Sequence, residues 1–461
     1  MSEQKQDFRH DKQVNAPGTI GEGGKRFWLY PERRPGARAT RRKWLAIALI
    51  AFYLIVPWIQ IDGSPILRLD VLEQKAYIFG LVLQMTEFHY IFFALAALAL
   101  LLFLVTTLRG RIWCGYACPQ TVFVEWVIRP IEEFFEGPAR ARRRLDLQPL
   151  TPKKGAIKFA KHGTYILVCV TVAHGLLGFF IDPRTLVGWV TSPPSDHPTA
   201  FGFVMAVSAL IYFDLSYFRE QFCAFLCPYA RFQSAMLDAA SPSVNYDSKR
   251  GDPRGKGQGK GDCIDCGLCV RVCPTGIDIR NGLQLECIQC ERCIDACQSI
   301  MTNLGRDPGL IRIASTQELS GVQTSRWKRP RVYVYSLMIV AILAAGLLKL
   351  TSRPALSLTI LRQQGVAFSE IPDGRLSNMF TARVNNTTTE TLKINIELVN
   401  KSDELSLLCP TCGSTVEAHG EALVPLLILF PKGSQERTAN LRVVGGTKIY
   451  ELPIIGPENG K

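Results

Sequence analysis

The sequence predicts a multi-domain membrane protein: an α-helical bundle of five spans, a small α+β insert, and a C-terminal all-β sandwich. Three observations carry this reading. Five long apolar runs are almost free of charge, two tight cysteine runs lie between the fourth and fifth of them, and short alternating apolar segments fill the chain after Leu348. The composition agrees. The 461 residues are 47% hydrophobic and 20% charged, with a formal charge of +13 and fifteen cysteines. This excludes a disordered chain and disfavours a nucleic-acid-coating one, and an odd number of cysteines cannot all pair as disulfides.

The five spans are Trp44–Ile61, Tyr90–Leu108, Gly163–Ile181, Pro198–Phe218 and Val332–Leu348. Their orientation follows from the Lys and Arg beside them. The segments before, between and after the first four spans hold 11, 2, 11, 1 and 16, the last reaching Arg331. That alternation puts the N-terminus and the two large loops in the cytoplasm and the residues after Leu348 outside. The expected organisation is a basic cytoplasmic segment over 1–43, a four-span region over 44–245, and a cytoplasmic cysteine-rich domain over 246–311. A linker over 312–331, the fifth span over 332–348 and an outer sandwich over 349–461 follow. The N-terminus does not read as a signal peptide, since its basic region is long and no small-residue cleavage site follows the first apolar run. The cluster Arg140, Arg142, Arg143 and Arg144 is expected to meet anionic lipid headgroups.

The cysteine runs read Cys263-x-x-Cys266-x-x-Cys269-x-x-x-Cys273-Pro274 and Cys287-x-x-Cys290-x-x-Cys293-x-x-x-Cys297. This is the bacterial ferredoxin spacing, in which three thiolates wrap a 4Fe–4S cubane and the fourth cysteine of each run reaches the other cluster. Cys263, Cys266, Cys269 and Cys297 are therefore expected to hold one cluster, and Cys287, Cys290, Cys293 and Cys273 the second. Zinc sites use pairs of cysteines rather than three evenly spaced ones, and disulfides do not suit a reducing compartment.

A second motif, Cys-x-x-x-Cys-Pro, occurs twice: Cys114 and Cys118 after the second span, Cys223 and Cys227 after the fourth. In a helix, the i, i+4 spacing puts both sulfurs of a pair on one face. Four thiols then meet as ligands for Cu(I), as redox-active pairs, or as the wall of a quinone or haem pocket. Cys169 reads as a packing residue, and Cys409 and Cys412 as either a disulfide or a copper-binding pair. His89 and His174 read as haem or proton-relay groups or as hydrogen-bonded structural histidines. Asp214, near the inner end of the fourth span, reads as a functional carboxylate or as one solvated at the interface.

After Leu348, strands are expected over Leu356–Arg362, Met379–Val384, Leu392–Val399, Leu423–Phe430, Ala439–Val444 and Lys448–Ile455. Short strands over about a hundred residues make a β-sandwich.

The chain resembles the cytochrome c oxidase accessory proteins of the CcoG/FixG/RdxA family. The resemblance rests on the motifs Arg111–Thr121, Phe222–Arg231 and Tyr246–Arg254 followed by the double cysteine run. It implies an Ig-like fold for the sandwich and a polyferredoxin of the bacterial inner membrane that matures cbb-type oxidases. The implied activity is reduction of Cu(II) to Cu(I), with Cys114, Cys118, Cys223 and Cys227 handling copper or delivering electrons. Implied partners are copper ions, oxidase assembly factors and copper chaperones. Two other readings stay open: a quinol-oxidising conduit of a periplasmic reductase system, and a non-enzymatic assembly scaffold.

Overall fold

The structure is a computed structural model. It describes residues 19, 26 and 28–456, apart from 62, 72, 85–86, 323–324, 364–366, 389, 400–403, 435 and 445–447. Of the basic segment expected over 1–43, residues 1–18, 20–25 and 27 lie outside the described residues. The chain forms two compact units, one of residues 1–80 with 89–344, the other of residues 81–88 with 345–461.

The helices of the first unit follow in chain order. They are α1 (Ala37–Ile55), α2 (His89–Arg109), α3 (Ile112–Tyr116), α4 (Pro119–Phe123), α5 (Arg129–Glu136), α6 (Ala139–Leu147), α7 (Pro152–Leu177), α8 (Pro183–Val190), α9 (Pro198–Phe213) and α10 (Pro228–Met236). α11 (Ser248–Gly251), α12 (Leu268–Arg271), α13 (Arg292–Asn303) and α14 (Thr316–Ser320) come next, and α15 (Pro330–Thr351) leads into the second unit. Prolines open many of them, because the missing N–H at the first helical position costs nothing there. Thr151 completes the start of α7 by accepting the amide of Lys154 at 3.2 Å.

Among the described residues four helices are long and apolar enough to cross a membrane: α2, α7, α9 with the π-helical turn Asp214–Phe218, and α15. The expected first span, Trp44–Ile61, does not form one helix. α1 begins seven residues earlier, taking in Arg38, Arg41, Arg42 and Lys43, and a 3₁₀ turn at Val56–Trp58 ends it around Pro57. Its apolar part, Trp44 to Ile55, is about 18 Å long, short of a hydrocarbon core of about 30 Å. α1 nevertheless reaches both ends of α7's bundle. Arg42 Nε donates to Gly115 O at 2.7 Å beside the first cysteine motif, and Tyr53 Oη donates to Val172 O at 2.7 Å near the far end of α7. Beyond it, Leu69 N donates to Phe179 O at 2.8 Å and Arg68 pairs with Asp182 at 2.8 Å.

The cysteine-rich domain is closed by strand Ser243–Tyr246, paired antiparallel with Ile311–Ala314 in the register Ser243↔Ala314 to Tyr246↔Ile311. Between them lie two matching half-motifs, each ending in α12 or α13. On both sides of the middle cysteine the backbone is left-handed: Asp265 (φ 55°) and Gly267 (φ 64°) flank Cys266, while Gln289 (φ 54°) and Glu291 (φ 62°) flank Cys290. These reversals let three cysteines wrap one point. The hydrophobic filling is Val244, Tyr246, Val270, Ile277, Ile294 and Met301 with their neighbours.

In the second unit, strand Leu376–Asn386 runs between Leu356–Arg362 and Glu421–Phe430, pairing Ala382 with Ile360 and with Val424. Ser406–Leu408 adds an edge on Glu421–Phe430. A separate sheet is made by Ile396–Leu398, Thr438–Val443 and Ile449–Pro453. Alternate residues Phe380, Ala382, Val384, Val424, Leu426 and Ile428 enter the core. The expected strand Leu392–Val399 is interrupted at Ile394–Asn395, because Ile394 N turns to Ser414 O at 2.9 Å.

Candidate functional site

Cys263, Cys266, Cys269 and Cys297 line one cavity of the cysteine-rich domain. Cys273, Cys287, Cys290 and Cys293 line the next, which Cys269 also borders. Each cavity thus takes sulfurs from both runs. Among the described residues no three His, Cys, Asp or Glu side chains close on a single metal ion; the sulfurs surround space instead. Four sulfurs around an apolar cavity are the donor set of a 4Fe–4S cluster, so the residues present fit that group. Burial pushes the Cys287 thiol up to about 12, so a cation must supply the charge that makes it a ligand. Cys266 is the exposed member of the eight, which puts the first cavity nearest solvent.

The two Cys-x-x-x-Cys-Pro motifs share one local structure, and it differs from the single helix expected. Cys114 sits in α3 and Cys223 in the π-helical turn Phe222–Leu226. Cys118 and Cys227 are extended residues (ψ 126° and 109°) that precede α4 and α10. The reason is the proline: a residue before proline is driven out of the helical region, and the proline itself starts the next helix.

The motifs dock on each other. After the second motif, Gln233 accepts from Cys114 Sγ at 3.1 Å and donates to Thr106 Oγ1 at 3.0 Å and Tyr229 Oη at 2.6 Å. After the first, Gln120 Nε2 donates to Asp214 Oδ1 at 3.1 Å and to Arg219 O at 3.0 Å. This brings the four thiols within reach of one another's charge: Cys223 senses Cys118, Cys114 and Cys227. Burial raises Cys114 to about 12, so the group stays protonated at neutral pH unless a cation or an oxidant intervenes.

The thiol group abuts the second cavity. Cys114, Ile288 and Cys290 pack together with Tyr229. Gly115 makes this approach possible: a Cβ there would stand 2.5 Å from Gln289 O and 2.8 Å from Ile288 O. Gln289 fastens the loop, accepting from Arg111 N at 2.7 Å and donating to Arg109 O at 2.8 Å. On the other side Glu125 binds both Arg129 and Arg292, the latter at 2.6 Å, and Arg129 Nη2 donates to Pro274 O at 3.0 Å. A cavity lined by Gln120, Val124, Arg129, Cys223, Pro274 and Ile288 lies beside the thiols.

The chain is similar over most of its length to known proteins. RdxA of Cereibacter sphaeroides is 31% identical over 430 residues, 90% of this chain and 91% of its own length. The chain belongs to the FixG/RdxA family. The nitrogen fixation protein FixG of Rhizobium meliloti is 34% identical over 81% of this chain and 80% of its own. RdxB of Cereibacter sphaeroides is 32% identical over 89% and 90%. Family models match in three places: a 4Fe–4S dicluster domain over residues 218–316, a 4Fe–4S binding domain over 91–140, and the IG-like fold at the C-terminus of FixG over 346–448. This FixG/RdxA-family member is a membrane-associated iron–sulfur electron-transfer protein.

The remaining sequence-selected residues fall outside the site. His174 Nδ1 lies 2.8 Å from Val170 O, the contact of a structural helix histidine. His89 opens α2 and packs against the Tyr90 ring. Cys169 is buried within α7. Cys409 and Cys412 are joined as a disulfide in the second unit. Asp214 stands among the thiols through Gln120. Sequence reasoning also missed Gln289, Gln233, Arg42 and the Glu125–Arg129–Arg292 group. Isolated amides and salt-bridge residues carry no spacing signal, so only the tertiary arrangement could single them out.

Proposed function

We propose that this protein carries electrons inward from a solvent-facing entry at Cys266 to the four thiols, where Cu(II) as substrate is reduced to Cu(I) for maturation of a cbb-type oxidase. The single observation that carries this is the shared cluster in which Cys114 and Cys290 pack with Ile288 and Tyr229. The first cluster would be held by Cys263, Cys266, Cys269 and Cys297, the second by Cys287, Cys290, Cys293 and Cys273. When bound, a 4Fe–4S cluster supplies one-electron storage at low potential. Around it this chain does the rest. Gly115 and Gln289 hold the loop of Cys290 against the thiols, and Cys114, Cys118, Cys223 and Cys227 offer soft donors that favour Cu(I) over Cu(II). Each turnover moves one electron, and each thiol that binds copper as a thiolate releases its proton to solvent as the metal takes the proton's place.

The reading extends to placement. α1 would complete a fifth crossing, with its arginines at the cytoplasmic surface, because it meets both ends of the α7 bundle and the Lys and Arg counts alternate across it. The protein would then lie in the bacterial inner membrane with the cysteine domain inside and the sandwich outside. Its expected partners are oxidase assembly factors and copper chaperones.

The test is Cu(II) reduction by anaerobically purified protein, read with a Cu(I) chelator, in a variant with Cys114, Cys118, Cys223 and Cys227 all changed to serine. The reading predicts loss of reduction with about eight irons retained per chain; unchanged reduction would refute it. The cavity beside Cys223, with a mainly apolar wall, favours a second reading, quinol oxidation. In that case a quinol analogue would reduce the clusters in the absence of any other donor.

A further inference from the structure

Beside the loop of Cys290 lies a cavity of about 380 Å³ that electron transfer to the thiols does not use. Arg38 and Arg41 of α1, Arg109 at the end of α2 and Arg326 ahead of α15 line it, so it sits beside the starts of α1 and α15 and the C-terminal end of α2. Its charges are unevenly matched. Arg38 pairs with Glu291 at 3.0 Å and Asp295 at 3.2 Å, and Arg326 meets Glu318 at 3.7 Å. Among the described residues the Arg41 and Arg109 guanidiniums have no ion pair or side-chain hydrogen bond. The one carboxylate on the wall, Glu291, is already engaged by Arg38 and Tyr116. Two uncompensated cations therefore share one concavity, whose remaining wall includes the apolar Ile112 and Ile313.

We propose that this cavity binds a phosphate group, with Arg41 and Arg109 as its principal donors. Planar guanidinium forks match phosphate oxygens in pairs, and two guanidiniums without a carboxylate partner in one concavity attract an anion. The ends of apolar helices lie where lipid headgroups lie, and basic pockets between helix ends take acidic phospholipids. A soluble phosphate shares the chemistry, so the test separates the two sources. The site touches the redox machinery as well: Gln289 and Glu291, which flank Cys290, form part of the wall. A bound negative charge there disfavours adding an electron to the adjacent cluster and lowers its potential.

The experiment uses the full-length holoprotein, stripped of lipid by detergent exchange. It is titrated with phosphatidylglycerol, phosphatidylcholine and inorganic phosphate while native mass spectrometry counts bound molecules. Phosphatidylglycerol should bind saturably, phosphatidylcholine should not, and an Arg41→Gln/Arg109→Gln variant should bind roughly tenfold or more weakly. A Lys432→Gln/Arg437→Gln control, at exposed positions of the second unit, should bind as wild type. The potential of one cluster should also fall on phosphatidylglycerol addition in wild type and stay fixed in the variant. Saturable binding of inorganic phosphate, lost in the same variant and without preference for the lipid, assigns the site to a soluble phosphate. Both arginines are exposed, so folding is not at stake, and an iron assay verifies it. No saturable binding of either ligand, or equal binding by wild type and variant, overturns the proposal.

Discussion

Changing Glu132 to glutamine should loosen the support of the second cysteine motif. Glu132 lies on α5 and accepts Arg219 at 2.6 Å, Arg142 at 2.5 Å and the Tyr165 hydroxyl at 3.0 Å. All three ionic side chains are at least nine-tenths buried. Burial alone would raise the Glu132 pKa, but the charges of Arg219 and Arg142 prevail and hold it at about 2, against an ordinary 4.5. That gap corresponds to about 3 kcal/mol of stability. Because the folded pKa is the lower one, the contribution is complete above pH 4.5 and disappears as the pH falls through 4.5 toward 2. Glutamine keeps the shape but leaves two buried guanidiniums without a carboxylate, a loss on the order of 3–5 kcal/mol. Equilibrium unfolding of the purified protein in mixed micelles should show a deficit of that size at pH 7. The deficit should shrink as the pH falls toward 2, where wild-type Glu132 is half protonated. A variant within about 1 kcal/mol of wild type at pH 7, the value of an ordinary exposed ion pair, would refute the reasoning.

Three further outcomes are expected. Gly115→Ala puts a methyl group 2.5 Å from the Gln289 carbonyl oxygen, which backbone cannot yield without shifting. It should cost about 1–3 kcal/mol and slow Cu(II) reduction while iron stays near wild type; an unchanged rate counts against electron transfer from the Cys290 loop to Cys114. Cys297→Ser should extinguish the same electron-paramagnetic signal as Cys263→Ser, and Cys273→Ser the same one as Cys287→Ser, each leaving about four irons. The opposite grouping would show that the fourth cysteines do not cross over. Cys409→Ser with Cys412→Ser removes a disulfide closing a very short loop. The second unit should lose about 2 kcal/mol in unfolding, with iron content and Cu(II) reduction unaltered; a drop in reduction would give this pair a role in copper transfer.

Much of the architecture was legible in residue order, for reasons that are local. A run such as Tyr90–Leu108 can satisfy its backbone in lipid only as a helix, and α2 covers it with one residue more at each end. Alternation along Leu423–Phe430 shows which side chains enter the core, and the strand Glu421–Phe430 buries Val424, Leu426 and Ile428. Trp44–Ile61 misled because hydropathy does not register Pro57, nor the ability of Arg42 to lie buried when its Nε meets Gly115 O. Cys-x-x-x-Cys misled where helical periodicity was extended across a proline.

The sequence by itself determined the cysteine spacing, the apolar helices and the alternating strands, since each depends on neighbours within a few residues. Only the tertiary structure decided that Cys114 and Cys290 share one cluster, that Gln120 brings Asp214 to the thiols, and that Arg41 and Arg109 share a cavity. Those contacts join residues far apart in the chain, and what selects them is packing: a glycine without a Cβ, a buried amide seeking partners, a cation left without one.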